Sequence, residues 1–592
     1  MSDLAAGLLQ SALVLAILAV LYVPLGDYMA RTYRSARDLP PERWIYRAIG
    51  VNPRSHQTWR AYGLSVLGFS AVSILVLYAM LRLQGHLPWS DGKPGMSPTT
   101  SFNTAISFVT NTNWQSYEPE TAISDLPQML GLATQNFLSA AVGMAVAVAL
   151  IRGIAARRGA GQIGNFWVDL VRGTLRVLLP LAIVLAVIFV FQGAVQSWHA
   201  ATDFTMLDGA GSRIPLGPFA SQEAIKLLGT NGGGTYGANS AHPFSNPTPV
   251  TNVLSVLAIL LIPVSLTRTY GTMVGDRRQG LTLLGVMATI WGAMLALVWT
   301  FESRTDGLAS RAAGAMLEGK EYRFGIPGSA LFAVSTTGTS TGAVNAAHDS
   351  FSAAAGGGLI WNMLLGEVAP GGVGSGLYSM LVLAIITVFV GGLLVGRSPE
   401  FLGKRIGQRE ITAAALYVLV MPALVLAGTA ITVVLGATPS ALGNDGPRGS
   451  DGAIHGFSEV LYAFASAANN NGSAFGGLTA TSDWLQISLG LAMLLGRLVP
   501  IVLVLSLAGL LARQRPKENA PEPNATASGP LMTDEATPAG GVALRARADA
   551  AVAALPTSGL LFGALLLGTT LLVAGLTFFP AMALGPIAEA VG

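Results

Sequence analysis

Four short polar quartets carry the residue types that could coordinate a cation. They are Thr110-Asn111-Thr112-Asn113, Gly229-Thr230-Asn231-Gly232, Thr339-Ser340-Thr341-Gly342 and Asn469-Asn470-Asn471-Gly472. Glycine admits backbone conformations that turn carbonyl oxygens toward one side. Four rings of carbonyls can replace the hydration shell of a monovalent cation. Ser, Thr and Asn side chains hold such loops by local hydrogen bonds. The reference positions 113, 232, 342 and 472 lie 119, 110 and 130 residues apart. Any one quartet also reads as an ordinary turn, which favours the same residues. Four at matching places favour one shared site. Asn113 stands where the other three have glycine, so the site is expected to be only approximately fourfold.

Each quartet follows a semi-apolar stretch too short to span a bilayer, at 97–110, 217–229, 325–338 and 456–468. Stretches of this length between spans are candidate re-entrant helices. Their C-terminal, partly negative ends would point at the ion. Around them the chain is very apolar, 52% hydrophobic and 11% charged over 592 residues. Soluble proteins carry about 25% charge. Apolar runs of spanning length fall at 7–29, 62–84, 127–151, 173–195, 249–267, 280–300, a broken one over 355–396, 411–436, 484–510 and 561–588. The expected class is an all-α polytopic membrane protein. It has ten transmembrane helices, four membrane-pore-membrane repeats around a pseudo-fourfold pore and one extra helix at each end.

The expected units are an N-terminal helix and loop (1–61), repeat 1 (62–151), repeat 2 (173–267), repeat 3 with a broken second helix (280–396), repeat 4 (411–510), a linker (511–560) and a C-terminal helix (561–592). The first run lacks a basic start and a cleavage site, which indicates an anchor rather than a signal peptide. Alternate loops carry 23 Lys and Arg against 8 in the others. The positive-inside rule puts the first set in the cytoplasm and both termini outside. Residues 514–556, rich in Pro, Ala, Asn and Gly, read as a flexible linker, with a functional tail as the alternative. There is no cysteine, and the six histidines show no short metal-ligand spacing.

Two charges lie at membrane depth. Glu367 sits in 366-GEVAPGGVGSGLY-378, whose glycines and Pro370 cannot continue a helix. It reads as part of an ion path or gate, or as a buried acid satisfied by amides. Arg497 is too central in its span to snorkel. It faces a cavity, or it pairs with Glu367 for packing. Gln115 follows the first quartet and could be a capping amide.

The strings TNTNWQ, GTNGGG with ANSAHPFSNPT, AAHDSFSA, GEVAPGGVGSGLY, GRSPEFLGK and NNNGSAF resemble the KdpA family, the potassium-binding subunits of the Kdp potassium-transporting ATPases. The resemblance runs from residue 7 to 588. It implies high-affinity K+ uptake at the plasma (inner) membrane of bacteria short of potassium. It implies a translocase complex (EC 7.2.2.6) in which this subunit does not hydrolyse ATP. The implied partners are a P-type ATPase subunit (KdpB), a single-span subunit (KdpC) and a small accessory peptide (KdpF). K+ is then the transported ion, bound by Asn111, Thr112, Asn113, Thr230, Asn231, Gly232, Ser340, Thr341, Gly342, Asn470, Asn471 and Gly472. The resemblance also puts Glu367 near a tunnel entrance below the filter, makes Arg497 a hindrance to free flow, and lets Gln115 influence affinity. The chain agrees in having no Walker A string and no DKTG phosphorylation string. A stand-alone potassium channel or ion-coupled transporter of the same superfamily is the other reading. No carboxylate pair or Ser/His/Asp set supports an enzyme.

Overall fold

A computed structural model describes residues 3–157, 159–199, 201–304, 316–435, 441–443, 451–515 and 555–591. The greater part of the expected 514–556 linker lies outside the described residues. Ten described helices are long and apolar enough to cross a bilayer: Leu4–Arg34, Trp59–His86, Pro127–Ala155, Phe166–Phe191, Pro249–Val274, Arg277–Glu302, Ser375–Leu394, Gln408–Val434, Asp483–Arg513 and Leu560–Leu584. They are numbered here as the first to tenth spans. In hydrocarbon every backbone group must be bonded within the chain, and long helices meet that demand.

The spans form two classes. In the most apolar 18 residues of the third, fifth, seventh and ninth spans, 83, 83, 72 and 50% of the residues are buried, whereas no other span exceeds 39%. The second helix of each repeat therefore forms an inner ring and the first helix faces lipid. The inner helices accordingly carry small and polar residues, such as Ser139, Gly143, Asn252 and Gly496, that allow close approach. The first span packs along the fifth, and the tenth lies against the sixth and seventh.

Between the two helices of each repeat runs a pore helix: Pro98–Val109, Phe219–Leu228, Gly325–Thr337 and Asp451–Asn469. The first is capped by Ser97, whose hydroxyl accepts from the Thr100 amide. The fourth starts at Asp451, five residues before the semi-apolar stretch at 456–468. The third repeat is broken as expected. Its inner helix starts as Ala353–Leu364, stops in a glycine-rich turn, and resumes at Ser375.

The chain is not wholly helical. Antiparallel pairs join Gln57–Thr58 to Gln162–Gly164, Ala201–Thr205 to Gly211–Pro215, and Glu400–Phe401 to Lys404–Arg405. All three lie in loops between spans, where the apolar patterning that marks the helices is absent.

Candidate functional site

All four pore helices end in the same way. The amide of the third quartet residue donates to the carbonyl five residues earlier: Thr112 to Ser107 (2.9 Å), Asn231 to Lys226 (2.8 Å), Thr341 to Thr336 (3.2 Å) and Asn471 to Ser466 (2.8 Å). The second quartet residue is left-handed every time, with φ of +70° at Asn111, +48° at Thr230, +50° at Ser340 and +58° at Asn470. A left-handed residue recurs at Asn113, Gly342 and Gly472, with φ of +60°, +68° and +106°. In the second repeat it comes one residue later, at Gly233. Alternating handedness turns successive peptide planes so that their carbonyls can share one side. A side-chain-bearing residue in this conformation costs about 1–2 kcal/mol. Four such residues at matching positions are held by their surroundings, as strained residues at functional sites are.

The four segments pack as a closed ring. A Cβ on Gly232 would lie 3.1 Å from the Thr341 oxygen. One on Gly342 would overlap the Asn471 carbonyl, and one on Gly472 the Thr112 carbonyl. The first and second segments meet through side chains. Asn231 Nδ2 donates to Asn111 Oδ1 (2.7 Å) and Asn113 Oδ1 (3.1 Å). Asn111 Nδ2 in turn takes the Thr230 carbonyl (2.8 Å). The departure from fourfold symmetry expected at Asn113 is concentrated at this joint.

The first and fourth segments are tied from behind. Ser139 Oγ, from the third span, donates to Asn111 Oδ1 (2.8 Å). Asn470 Nδ2 donates to Thr112 Oγ1 (2.9 Å) and to the Met493 carbonyl (2.8 Å). Asn471 Nδ2 donates to the Thr336 carbonyl (3.0 Å). Above the ring lies a vestibule of about 790 Å³. Gln115 lines it and ties the first loop to the second rather than capping a helix. Its Oε1 accepts from the Gly234 amide (2.9 Å) and its Nε2 donates to Tyr117 Oη (3.2 Å).

Directly below the ring sits the break of the third repeat. The amides of Ala369 and Gly371 donate to the Gly338 carbonyl (3.2 and 2.8 Å). The Val373 amide donates to Thr230 Oγ1 (2.9 Å). Glu367 is buried and left-handed, at φ +49°. Ser340 Oγ donates to its Oε2, while its Oε1 has no hydrogen-bond partner. The Asn471 side-chain amide and the Ser340 backbone also lie against the carboxylate, so both a hydroxyl and amides surround this acid.

Arg497 is buried below the same ring, with Nη2 3.5 Å from the Ser139 carbonyl. It pairs with no carboxylate among the described residues, Glu367 included. The packing reading of a Glu367–Arg497 ion pair is therefore not what the structure shows. Arg497 faces a cavity of about 100 Å³ that it shares with Ser340, Asn469 and Asn470. The far side of that cavity is walled by Tyr417 and Met421 of the eighth span and Thr570 and Phe578 of the tenth.

Three supports were not singled out from the sequence. Lys226, fully buried in the second pore helix, pairs with Glu223 (2.8 Å) and donates to the Gly233 carbonyl (2.9 Å). Two charges three residues apart in a short buried helix were the available signal. A relay runs from His348 Nδ1 to Tyr462 Oη (2.7 Å), then to Ser473 Oγ (2.7 Å) and on to Asn471 Oδ1 (2.5 Å). Burial, with the Lys320 charge beside it, holds the His348 pKa down to about 3, so the ring is neutral. Finally, His455 bridges Asp349 (2.8 Å) and Glu589 (2.6 Å), with Glu459 close by. The fold brings these together although their spacing in the chain gives no metal-ligand pattern.

Comparison with known proteins identifies the family of the chain. The family model "Potassium-transporting ATPase A subunit" matches residues 12–537 and 530–591. Similar proteins described as "Potassium-transporting ATPase potassium-binding subunit" occur in Nocardia farcinica (63% identical over 587 residues, 99% of each chain) and Rhodococcus opacus (62%, 99% of each). Another occurs in Mycobacteroides abscessus (61% over 601 residues, 100% of each). Among solved structures, the potassium transporter TrkH of Vibrio parahaemolyticus covers 84% of this chain and 96% of its own, at 15% identity and a TM-score of 0.49. The chain belongs to the potassium-transporting ATPase A subunit family.

Proposed function

We propose that the chain binds K+ from outside the cell in the ring formed by 111–113, 230–232, 340–342 and 470–472, and passes it to a P-type ATPase partner subunit for ATP-driven import. The closed ring of four matched left-handed segments carries this reading. Each pore helix directs roughly half a negative charge at the ring, about two units in all. Main-chain carbonyls then supply the oxygens that water gives up. Selection follows from how well the ring fits the bare ion, so whatever holds the ring, from Ser139 to Tyr462, acts on selectivity.

Glu367 lies next to Ser340 with one oxygen unengaged, and so attracts a cation that has crossed the ring. Arg497, buried and in direct ion pair with no carboxylate among the described residues, raises the barrier to straight passage. The cavity that Arg497 lines below the ring is bounded by the eighth and tenth spans, which favours a sideways exit. That geometry suits a subunit that delivers its ion to a neighbour without leaking, better than a stand-alone channel or coupled transporter. ATP is hydrolysed by the partner, KdpB, with KdpC and KdpF completing the complex. Loop charge puts both termini outside the bacterial inner membrane.

The test is growth and K+ uptake in a potassium-starved bacterial strain lacking its own uptake systems. The chain is expressed alone, with its partner subunits, and with Gly232→Asp in the full set. Rescue only with the partners, lost on Gly232→Asp, is the expected result. Rescue by the chain alone would establish the channel reading instead.

A further inference from the structure

On the face that loop charge assigns to the cytoplasm, a second cavity of about 640 Å³ opens between the ends of the first, third and ninth spans and the start of the fourth. Its basic lining is concentrated. Arg34, Arg54, Arg152, Arg157 and Arg172 all contribute, and Asp169 is the sole carboxylate in the lining. Asp169 is consumed by Arg152, which grips it through both nitrogens at 2.6 and 2.8 Å. Asp38, just outside the cavity, takes Arg172 at 2.8 Å and Arg54 at 3.6 Å. Two carboxylates thus face five guanidinium groups. Arg34 is spent on the carbonyls of Thr272 and Met273, which carry no full charge to cancel it.

Positive residues at cytoplasmic helix ends are ordinary, and scattered ones need no ligand. These are not scattered. The Arg172 side chain is only 7% exposed, and its buried Nε has no hydrogen-bond partner. Arg54 is 66% exposed and Arg157 is exposed at the rim. A buried guanidinium with a free donor at the back of a cleft, and exposed guanidinium groups at its mouth, is an arrangement for multidentate oxyanions. Arginine's planar fork matches phosphate oxygens. Basic pockets between spans on this side of a membrane hold lipid headgroups.

We propose that this cavity binds a phosphate-bearing anion, from the headgroup of an anionic inner-leaflet phospholipid or from soluble phosphate. The site rests on the proposed orientation for its access to that leaflet. Binding is read on the protein itself, so its failure is distinct from a failure of the transport reading.

The test uses the purified full chain, stripped of lipid in detergent and followed by native mass spectrometry and thermal unfolding. The probes are phosphatidylglycerol, phosphatidylcholine and inorganic phosphate. Arg54→Ala/Arg157→Ala changes only exposed residues and so spares the fold. Arg213→Ala, on the hairpin at 201–215, is the control. One retained phosphatidylglycerol, no retained phosphatidylcholine, and about tenfold or more weaker retention in the double variant but not in the control would establish the headgroup site. Stabilisation by phosphate alone, lost in the double variant, would establish the soluble source. Equal retention of both lipids, equal binding by wild type and double variant, or binding of no probe would overturn the proposal.

Discussion

Alanine at Gly342 separates two costs that a glycine can hide. Gly342 has φ +68°, and an added Cβ would lie 2.8 Å from the Asn471 carbonyl carbon and 2.9 Å from Gly472 Cα, closer still to the Asn471 oxygen. The first cost is conformational, about 1 kcal/mol for a side chain in the left-handed region. That cost falls on the protein with or without ion, so it lowers stability and leaves affinity alone. The second is displacement. Ordinary contact needs roughly a further half ångström or more, so the neighbouring segment must move. If its carbonyls lose about 2 kcal/mol of interaction with the ion, apparent K+ affinity falls roughly 30-fold. Gly275 is the control. It has φ +82° at the end of the fifth span and nothing within 4 Å of its Cβ position. Gly275→Ala thus incurs the first cost only. The assay is K+-stimulated ATPase activity of the purified complex across K+ and Na+ concentrations, with thermal unfolding beside it. Gly342→Ala is expected to raise the K+ KM about 30-fold and erode discrimination against Na+. Gly275→Ala is expected to lower Tm by a few degrees with an unchanged KM. A K+ KM for Gly342→Ala within threefold of wild type would refute the ring.

Glu367→Gln keeps an acceptor for Ser340 but loses the charge. We expect slower transport, about tenfold or more, with Tm nearly unchanged, measured as Rb+ uptake into proteoliposomes. Arg497→Ala removes a buried charge that has no carboxylate partner among the described residues. The expected result is ATP-independent K+ leak from loaded proteoliposomes, and no leak would remove Arg497 from the account. Burial lowers the His455 pKa, but Asp349 and Glu589 outweigh it and hold it at about 10 against an ordinary 6.5. A raised pKa stabilises fully below pH 6.5 and is lost as pH climbs through 10. The Tm gap between wild type and His455→Gln should therefore be largest below about pH 6.5 and narrow steadily from there toward pH 10. Gln115→Ala cuts the tie to Gly234 and should weaken K+ affinity several-fold in the same ATPase titration.

Local features were legible in the residues. Period and length marked all ten spans, and the glycines with Pro370 marked the break in the seventh. The four quartets marked the ring, because a segment that must alternate handedness favours Gly and Asn, although Thr230 and Ser340 take the left-handed place in two of the four. What links distant segments was not legible. Val373 reaches Thr230 across 143 residues and Asn470 reaches Thr112 across 358. No local pattern encodes such pairs. Charge was readable as a presence and not as a partnership. Glu367 and Arg497 were visible as costly residues at membrane depth, yet only the fold shows that Ser340 engages one and that no acid among the described residues forms an ion pair with the other. The buried Lys226–Glu223 pair escaped notice because i,i+3 charges ordinarily mark a solvated face. The hairpin at 201–215 lies in a loop that carries no apolar pattern.

The central claim is that the four segments hold the ion itself. The most direct measurement is a structure of the complex in Rb+ or Tl+, with the ion located by its anomalous scattering. The account predicts density on the axis of the ring, within reach of main-chain oxygens of 111–113, 230–232, 340–342 and 470–472. Density found only beside Glu367, or elsewhere in the chain with the ring empty, would contradict it.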